Sequence, residues 1–201
     1  MRSLMESVAD LLSEGNQNTL FYHGSNAKIT NFNDEFVGNG NDQYGPGIYF
    51  ANKPHVSIGY AADNNGLVYE CELNMRSELT AQTKFNKNFI LKLLKDSPDE
   101  YAWTDWDEDQ NKAYQVAYNQ YTSTYGKDMY EILMQIWYDF YRNYPTEFVR
   151  HLTSIGLDGT YHDVSADENG MLVYAVVYNP GIIKVLNVYT ADEAKAKLAT
   201  Q

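Results

Sequence analysis

The chain is short of cysteine, of positive charge and of long apolar runs, and each shortage removes a class of function. Its 201 residues include one cysteine, Cys71. An intrachain disulfide needs two and a thiolate metal cage needs several, so neither is expected. A lone cysteine fits a reducing compartment, and the expectation is a cytoplasmic protein. Lys and Arg number 15 against 27 Asp and Glu, a formal net charge of −12, and the cations form no run. Sequence-independent binding of nucleic acid needs clustered cations against phosphate, and that signature is missing. No apolar run reaches the roughly 18–20 residues of a membrane-spanning helix, so no membrane partner is expected. The histidines His23, His55, His151 and His162 make no His-x-x-x-His pair, so no metal is expected. There is no Gly-x-Ser-x-Gly elbow and no Walker loop. Gly38-Asn39-Gly40 lacks the third glycine and helix of a dinucleotide fingerprint.

What is present suits one folded domain carrying an elaborate insertion. Apolar residues make up 44% and charged residues 21%, enough for a sizeable core. Tyrosine stands at 18 copies. Tyrosines serve both as packing residues and as ligand walls, and only their position separates the two. Residues 2–14 read as an amphipathic helix, with Leu4, Met5, Val8, Leu11 and Leu12 on one face. Residues 1–18 are expected to be either an ordinary docking helix or a detachable leader. Leu12-Ser13-Glu14 before Gly15 resembles the Leu-x-Glu site that ends packaging peptides in internal head proteins of tailed phages. Residues 19–23 read as a strand, 31–41 as a Gly/Asn/Asp loop and 44–51 as a turn feeding a short strand. Asn52 is expected to cap a helix that Pro54 opens. Residues 67–73 alternate as a half-buried strand, with Val68, Glu70 and Glu72 on one face.

Residues 80–155 change character to helix. Phe89, Ile90, Leu93 and Leu94 make one apolar stripe, and 107–122 is a polar, tyrosine-rich second helix. Tyr130, Ile132, Leu133, Ile136, Trp137 and Phe140 build a third, and Pro145 opens a fourth that ends at Gly156. The acidic tryptophan loop at 96–109 is read first as a solvated face and second as a partner surface. Strands return after it. Residues 167–170 form a turn, 171–178 a central strand and 182–189 another strand. Thr190 with Glu193 forms a capping box for a last helix within 191–201.

The chemistry sits in Tyr22-His23-Gly24-Ser25, Gly47-Ile48-Tyr49-Phe50-Ala51 and Ser57-x-x-Tyr60. A lone histidine is most simply a hydrogen-bonded structural residue. In this order and spacing, however, the three segments resemble the NAD pocket of the diphtheria-toxin-like ADP-ribosyltransferases. These include the poly(ADP-ribose) polymerases and the transferase domains of phage polyvalent proteins. Gly156-Leu157-Asp158-Gly159 and Val176-Val177-Tyr178-Asn179-Pro180 resemble later segments of the same superfamily. The resemblance covers about residues 19–75 and 153–190. It implies an α+β fold, a split β-sandwich of two small, mostly antiparallel sheets with a helical insertion. It implies that His23, Gly24, Ser25, Tyr49, Ser57 and Tyr60 bind NAD, which is the substrate. His23 would hydrogen-bond the adenosine-side ribose, and Gly24 and Ser57 the nicotinamide carboxamide. Tyr60 and Tyr49 would enclose the ring. His23, Tyr49 and Tyr174 would be the catalytic residues.

At Tyr174 the chain departs from the family pattern, which places Glu, Asp or Gln there. A phenol polarises a hydroxyl but supplies no negative charge near neutral pH. Glu168, in the preceding turn, is the nearest substitute in sequence. The leading expectation is a mono-ADP-ribosyltransferase acting on a protein or nucleic-acid acceptor, an effector delivered by a phage to the host cytoplasm. A silent module of the same fold, holding NAD, ADP-ribose or an ADP-ribosylated target as a phage counter-defence factor, is the alternative. A third reading makes the helical segment the interaction surface and the pocket vestigial.

Overall fold

The strands of alternating polarity close into one antiparallel sheet. A computed structural model describes residues 20–38, 42–61, 66–84, 86–99, 110–167 and 170–198. The predicted leader, the loop beyond residue 99 and Glu168 lie outside these residues. Among the described residues there are six strands: β1 (Leu20–Ser25), β2 (Ile48–Ala51), β3 (Leu67–Leu73), β4 (Gly159–Asp167), β5 (Gly170–Val177) and β6 (Ile183–Thr190). They run in the order β4-β5-β2-β1-β3-β6. The fold is α+β. The two sheets expected from sequence are halves of this single sheet, β4-β5-β2 and β1-β3-β6. β1 is laddered to β3 from Leu20 to Ser25, and β2 to β5 from Ile48 to Ala51. Between the halves one register pair, Tyr22 with Ala51, makes the join. The sheet is therefore split along most of its middle.

Helices cover both faces. α1 is Pro54–Tyr60, α2 Lys87–Lys95, α3 Gln110–Tyr125, α4 Met129–Ile136, α5 Pro145–Ser154 and α6 Ala191–Leu198. Their ends follow local chemistry. The Asn86 side chain accepts the Phe89 N–H and opens α2, and Asp128 accepts the Glu131 N–H and opens α4. A single π turn, Trp137–Tyr141, carries α4 onward and buries Phe140 and Tyr141. Gly156 closes the turn after α5 at φ +85°. Thr190 and Glu193 exchange hydrogen bonds at 2.8 and 3.2 Å, which is the capping box. Asn52 does something else. Its amide bridges the Met171 carbonyl and the Val173 N–H at 2.9 Å each, extending the β2–β5 ladder. Lys53 is the N-cap of α1 instead, and its side chain makes no capping bond.

Alternation along the strands sorts side chains between two cores. Phe21, Tyr69 and Cys71 face α2–α5, in a core with Ile90, Leu93, Ile132 and Phe148. Tyr22 and Val68 face the other way, against Ile58 of α1 and Ala194 of α6. β3 is thus buried on both faces rather than one, because α6 roofs the side that carries Glu70. That carboxylate is matched from four directions. Asn187 Nδ2 donates at 2.6 Å, Tyr189 Oη at 2.7 Å and Lys197 Nζ at 2.6 Å, with Tyr22 Oη more distant at 3.4 Å. Burial disfavours the Glu70 charge, but these donors outweigh it and hold the carboxyl below its ordinary range.

Candidate active site

A cleft of about 290 Å³ opens where the sheet halves part. His23, Gly24, Ser25, Tyr49, Ser57, Tyr60 and Tyr174, the residues singled out from sequence, all line it. β1 supplies the first three and β2 supplies Tyr49. α1 brings Ser57 and Tyr60, and β5 brings Tyr174.

His23 spans the split. Its Nδ1 lies 2.8 Å from the Tyr49 carbonyl oxygen. A carbonyl only accepts, so Nδ1 carries the hydrogen and Nε2 is left as an acceptor. Burial lowers the imidazole pKa, outweighing the help of that bond, so the ring is neutral near pH 7. Phe32 meets the imidazole edge-on at 5.2 Å, and Phe50 lies at 5.4 Å. Phe32 belongs to the Gly/Asn/Asp loop and is itself buried. That loop is held down by Arg150, which donates to Asp34 Oδ2 at 3.1 and 2.9 Å.

Gly24 is demanded by packing. A Cβ there would stand 1.9 Å from the Ser57 carbonyl oxygen, so α1 lies directly on the β1 backbone. Ser57 is 3% exposed, and its hydroxyl donates to the Tyr22 carbonyl at 2.8 Å. Its proton is committed, and the oxygen has lone pairs to offer an amide donor. Ser25 Oγ accepts the Ala27 N–H at 3.1 Å and shapes the turn leaving β1.

The Tyr49 hydroxyl is occupied by the Gly-Pro-Gly turn. It donates to the Gly45 carbonyl at 2.7 Å and accepts the Tyr44 N–H at 2.9 Å. Burial first, and nearby Asp42 and tyrosines after it, raise its pKa well above the ordinary value. Tyr60, last in α1, is 60% exposed and holds a large ring at the rim. Tyr174 sits opposite Ala51 of β2 and His162 of β4. Burial raises its pKa, so the phenol is neutral. No described residue lining the cleft is a carboxylate or a cation.

Tyr44 also lines the cleft, which the sequence motifs did not indicate. It stacks on His162 with centroids 4.5 Å apart and planes at 19°. Burial lowers the His162 pKa to about 4. The Gly-Pro-Gly turn tucks Tyr44 back beside β2, and α4 supports that turn from below. A Cβ on Gly45, where φ is +90°, would strike Met134 Sδ at 2.4 Å.

The two later motifs are structural. Asp158 Oδ2 accepts the Arg76 and Ser77 N–H groups at 3.0 and 3.1 Å, and its Oδ1 accepts Asn179 Nδ2 at 3.0 Å. The Asp158 carbonyl takes the Tyr178 N–H at 2.8 Å. These bonds tie the chain leaving β3 to the start of β4 and the end of β5.

Among the described residues no group of three or more His, Cys, Asp or Glu is placed to hold a metal ion, and no helix is long and apolar enough to cross a membrane. The family model described as ADP-ribosyltransferase in polyvalent proteins matches residues 14–189. No curated protein and no solved structure matches the chain.

Proposed function

We propose, from the premise that the chain belongs to the ADP-ribosyltransferase family of polyvalent proteins, that it is an NAD-dependent mono-ADP-ribosyltransferase. The observation that carries this reading is the split in the sheet, spanned by the His23–Tyr49 bond and walled by Gly24, Ser57, Tyr60 and Tyr174. At about 290 Å³ the cleft is at the low end of small-molecule sites, so it takes one end of a dinucleotide. In this reading that end is the nicotinamide riboside. The carboxamide N–H₂ donates to Ser57 Oγ, and the pyridinium ring stacks on Tyr60. His23 Nε2 accepts from a hydroxyl of the adenosine-side ribose.

Transfer then breaks the bond between ribose C1′ and the pyridinium nitrogen. Its electron pair leaves with nicotinamide, which departs neutral, and positive charge develops on the ribose. The acceptor nucleophile forms the new bond at C1′; a neutral acceptor gives its proton to solvent, and an ionised carboxylate has none to lose. Tyr174 supplies no negative charge for that cation, so an acceptor that is itself a carboxylate suits the site best. Calorimetry with NAD, followed by mass spectrometry for nicotinamide and modified protein, tests the reading. His23→Ala is expected to abolish labelling while circular dichroism stays unchanged; full labelling by that variant would overturn it.

The phenol at position 174 favours a second reading, a module of the same fold that holds NAD or an ADP-ribosylated target without turnover. Measurable nicotinamide release from NAD excludes it. Action inside a host cell after delivery from a phage extends either reading.

A further inference from the structure

The cleft has no charged side chain among its described lining residues, yet five tyrosines line it, and three of them, Tyr44, Tyr60 and Tyr174, come from separate elements. Tyr44 precedes β2, Tyr60 ends α1 and Tyr174 lies within β5. The Tyr44 and Tyr174 rings are 5.9 Å apart with planes at 43°. Tyr60, exposed at the rim, lines the same cleft. An aromatic face carries negative potential and attracts a cation, more strongly where water is excluded. His162 covers one face of Tyr44. It is neutral near pH 7, so it sets no competing positive charge against that ring.

We propose that Tyr44, Tyr60 and Tyr174 form an aromatic cage that selects a positively charged pyridinium over a neutral pyridine, with Tyr44 and Tyr174 as its specificity-determining residues. The inference rests on reading the cleft as a nicotinamide pocket. It assigns a role to the position where the carboxylate is missing: the cation meets ring quadrupoles instead of an ion. It also makes binding follow the reaction. Cleavage of the bond to ribose converts the pyridinium into neutral nicotinamide, which loses the attraction and leaves.

Titration calorimetry of the full chain with 1-methylnicotinamide, a cation, and with nicotinamide, its neutral counterpart, tests the cage. The cation is expected to bind about tenfold tighter, the size of a partly desolvated cation–π contact. Tyr44→Leu and Tyr174→Leu should each bring the ratio toward one, and Tyr174→Phe, which keeps a ring, should retain it. Equal affinity for the two ligands in the unmodified chain overturns the cage and leaves the nicotinamide pocket standing. Binding of neither overturns both. A ratio that survives both leucine variants also overturns the cage, because the net charge of −12 would then be selecting the cation. Should the leucine variants fail to fold, raised salt decides on the unmodified chain. Salt screens the long-range field and leaves a contact in place, so a ratio lost in salt overturns the cage and one retained supports it.

Discussion

Several residues of the cleft serve the fold and the site with the same atoms. Gly24 was singled out as a place where a ligand meets the backbone; its immediate neighbour is the Ser57 carbonyl of α1. Gly24→Ala forces a methyl group against helix backbone that cannot swing aside. The expected cost is about 1–3 kcal/mol, as for other overpacked sites, together with loss of ligand binding as α1 lifts. Denaturant melts and calorimetry check both; a variant of unchanged stability would show that α1 yields easily. Tyr49 likewise closes the Gly-Pro-Gly turn with its hydroxyl and anchors His23 with its carbonyl. Its backbone and its phenol thus act on opposite sides of the same wall.

α6 shows how an element remote from the cleft sets its shape. It packs through Ala194 on the patch made by Tyr22, Ile58 and Val68, so it backs the helix carrying Ser57 and Tyr60. Lys197 fastens it to Glu70, which is 2% exposed. Removing one partner of a buried pair strands the other charge. Lys197 is itself partly exposed, and Tyr189 and Asn187 still donate to Glu70, so the loss is discounted. Lys197→Ala is expected to lower stability by about 1–2 kcal/mol, and Lys197→Arg to restore most of it. Thermal unfolding measures this, and an unchanged midpoint in the alanine variant would remove the latch. Helix α4 plays a comparable part through Met134 beneath Gly45.

The whole molecule has one principal core, to which the sheet and α2–α5 both contribute. Excising the helical segment would therefore remove one wall of the core, so its deletion cannot by itself separate an interaction surface from the pocket. Titration also acts on the whole. His162 is neutral in the fold, with its pKa lowered to about 4, whereas an unfolded histidine titrates near 6.5. Between those values the unfolded chain binds the extra proton, so the stability His162 contributes falls as pH drops from about 6.5 to about 4. His23 acts in the same direction. Glu70 and Asp158 hold lowered carboxyl pKa values; their contribution is full above the ordinary carboxylate range and is lost below it. Asp42, Glu78 and Asp163 are raised by burial and work in the opposite sense. A variant isolates the sign. The unfolding midpoint of the natural chain should fall relative to that of His162→Phe between pH 6.5 and 4. A difference that stays constant with pH would contradict it.

The α+β class, the helices at 87–154 and the α6 capping box were legible in the sequence. Periodicity and caps are local properties, set by neighbours three or four residues away. The cleft motifs were legible as a set because β1, β2 and α1 follow one another closely along the chain. Tertiary structure decided the rest. One sheet replaced two because the Tyr22–Ala51 pair joins strands from different halves. Glu70 lost its expected solvent face because α6, more than a hundred residues later, folds over it. Tyr44 became a wall of the site, and Phe32 a support for His23, only when the turn and loop holding them were packed against α4 and His23. Residue type and spacing determined which side chains compete for the cleft. Long-range packing decided which of their atoms remain free to meet a ligand, because a hydroxyl or carbonyl already bonded within the protein has less to offer outside it.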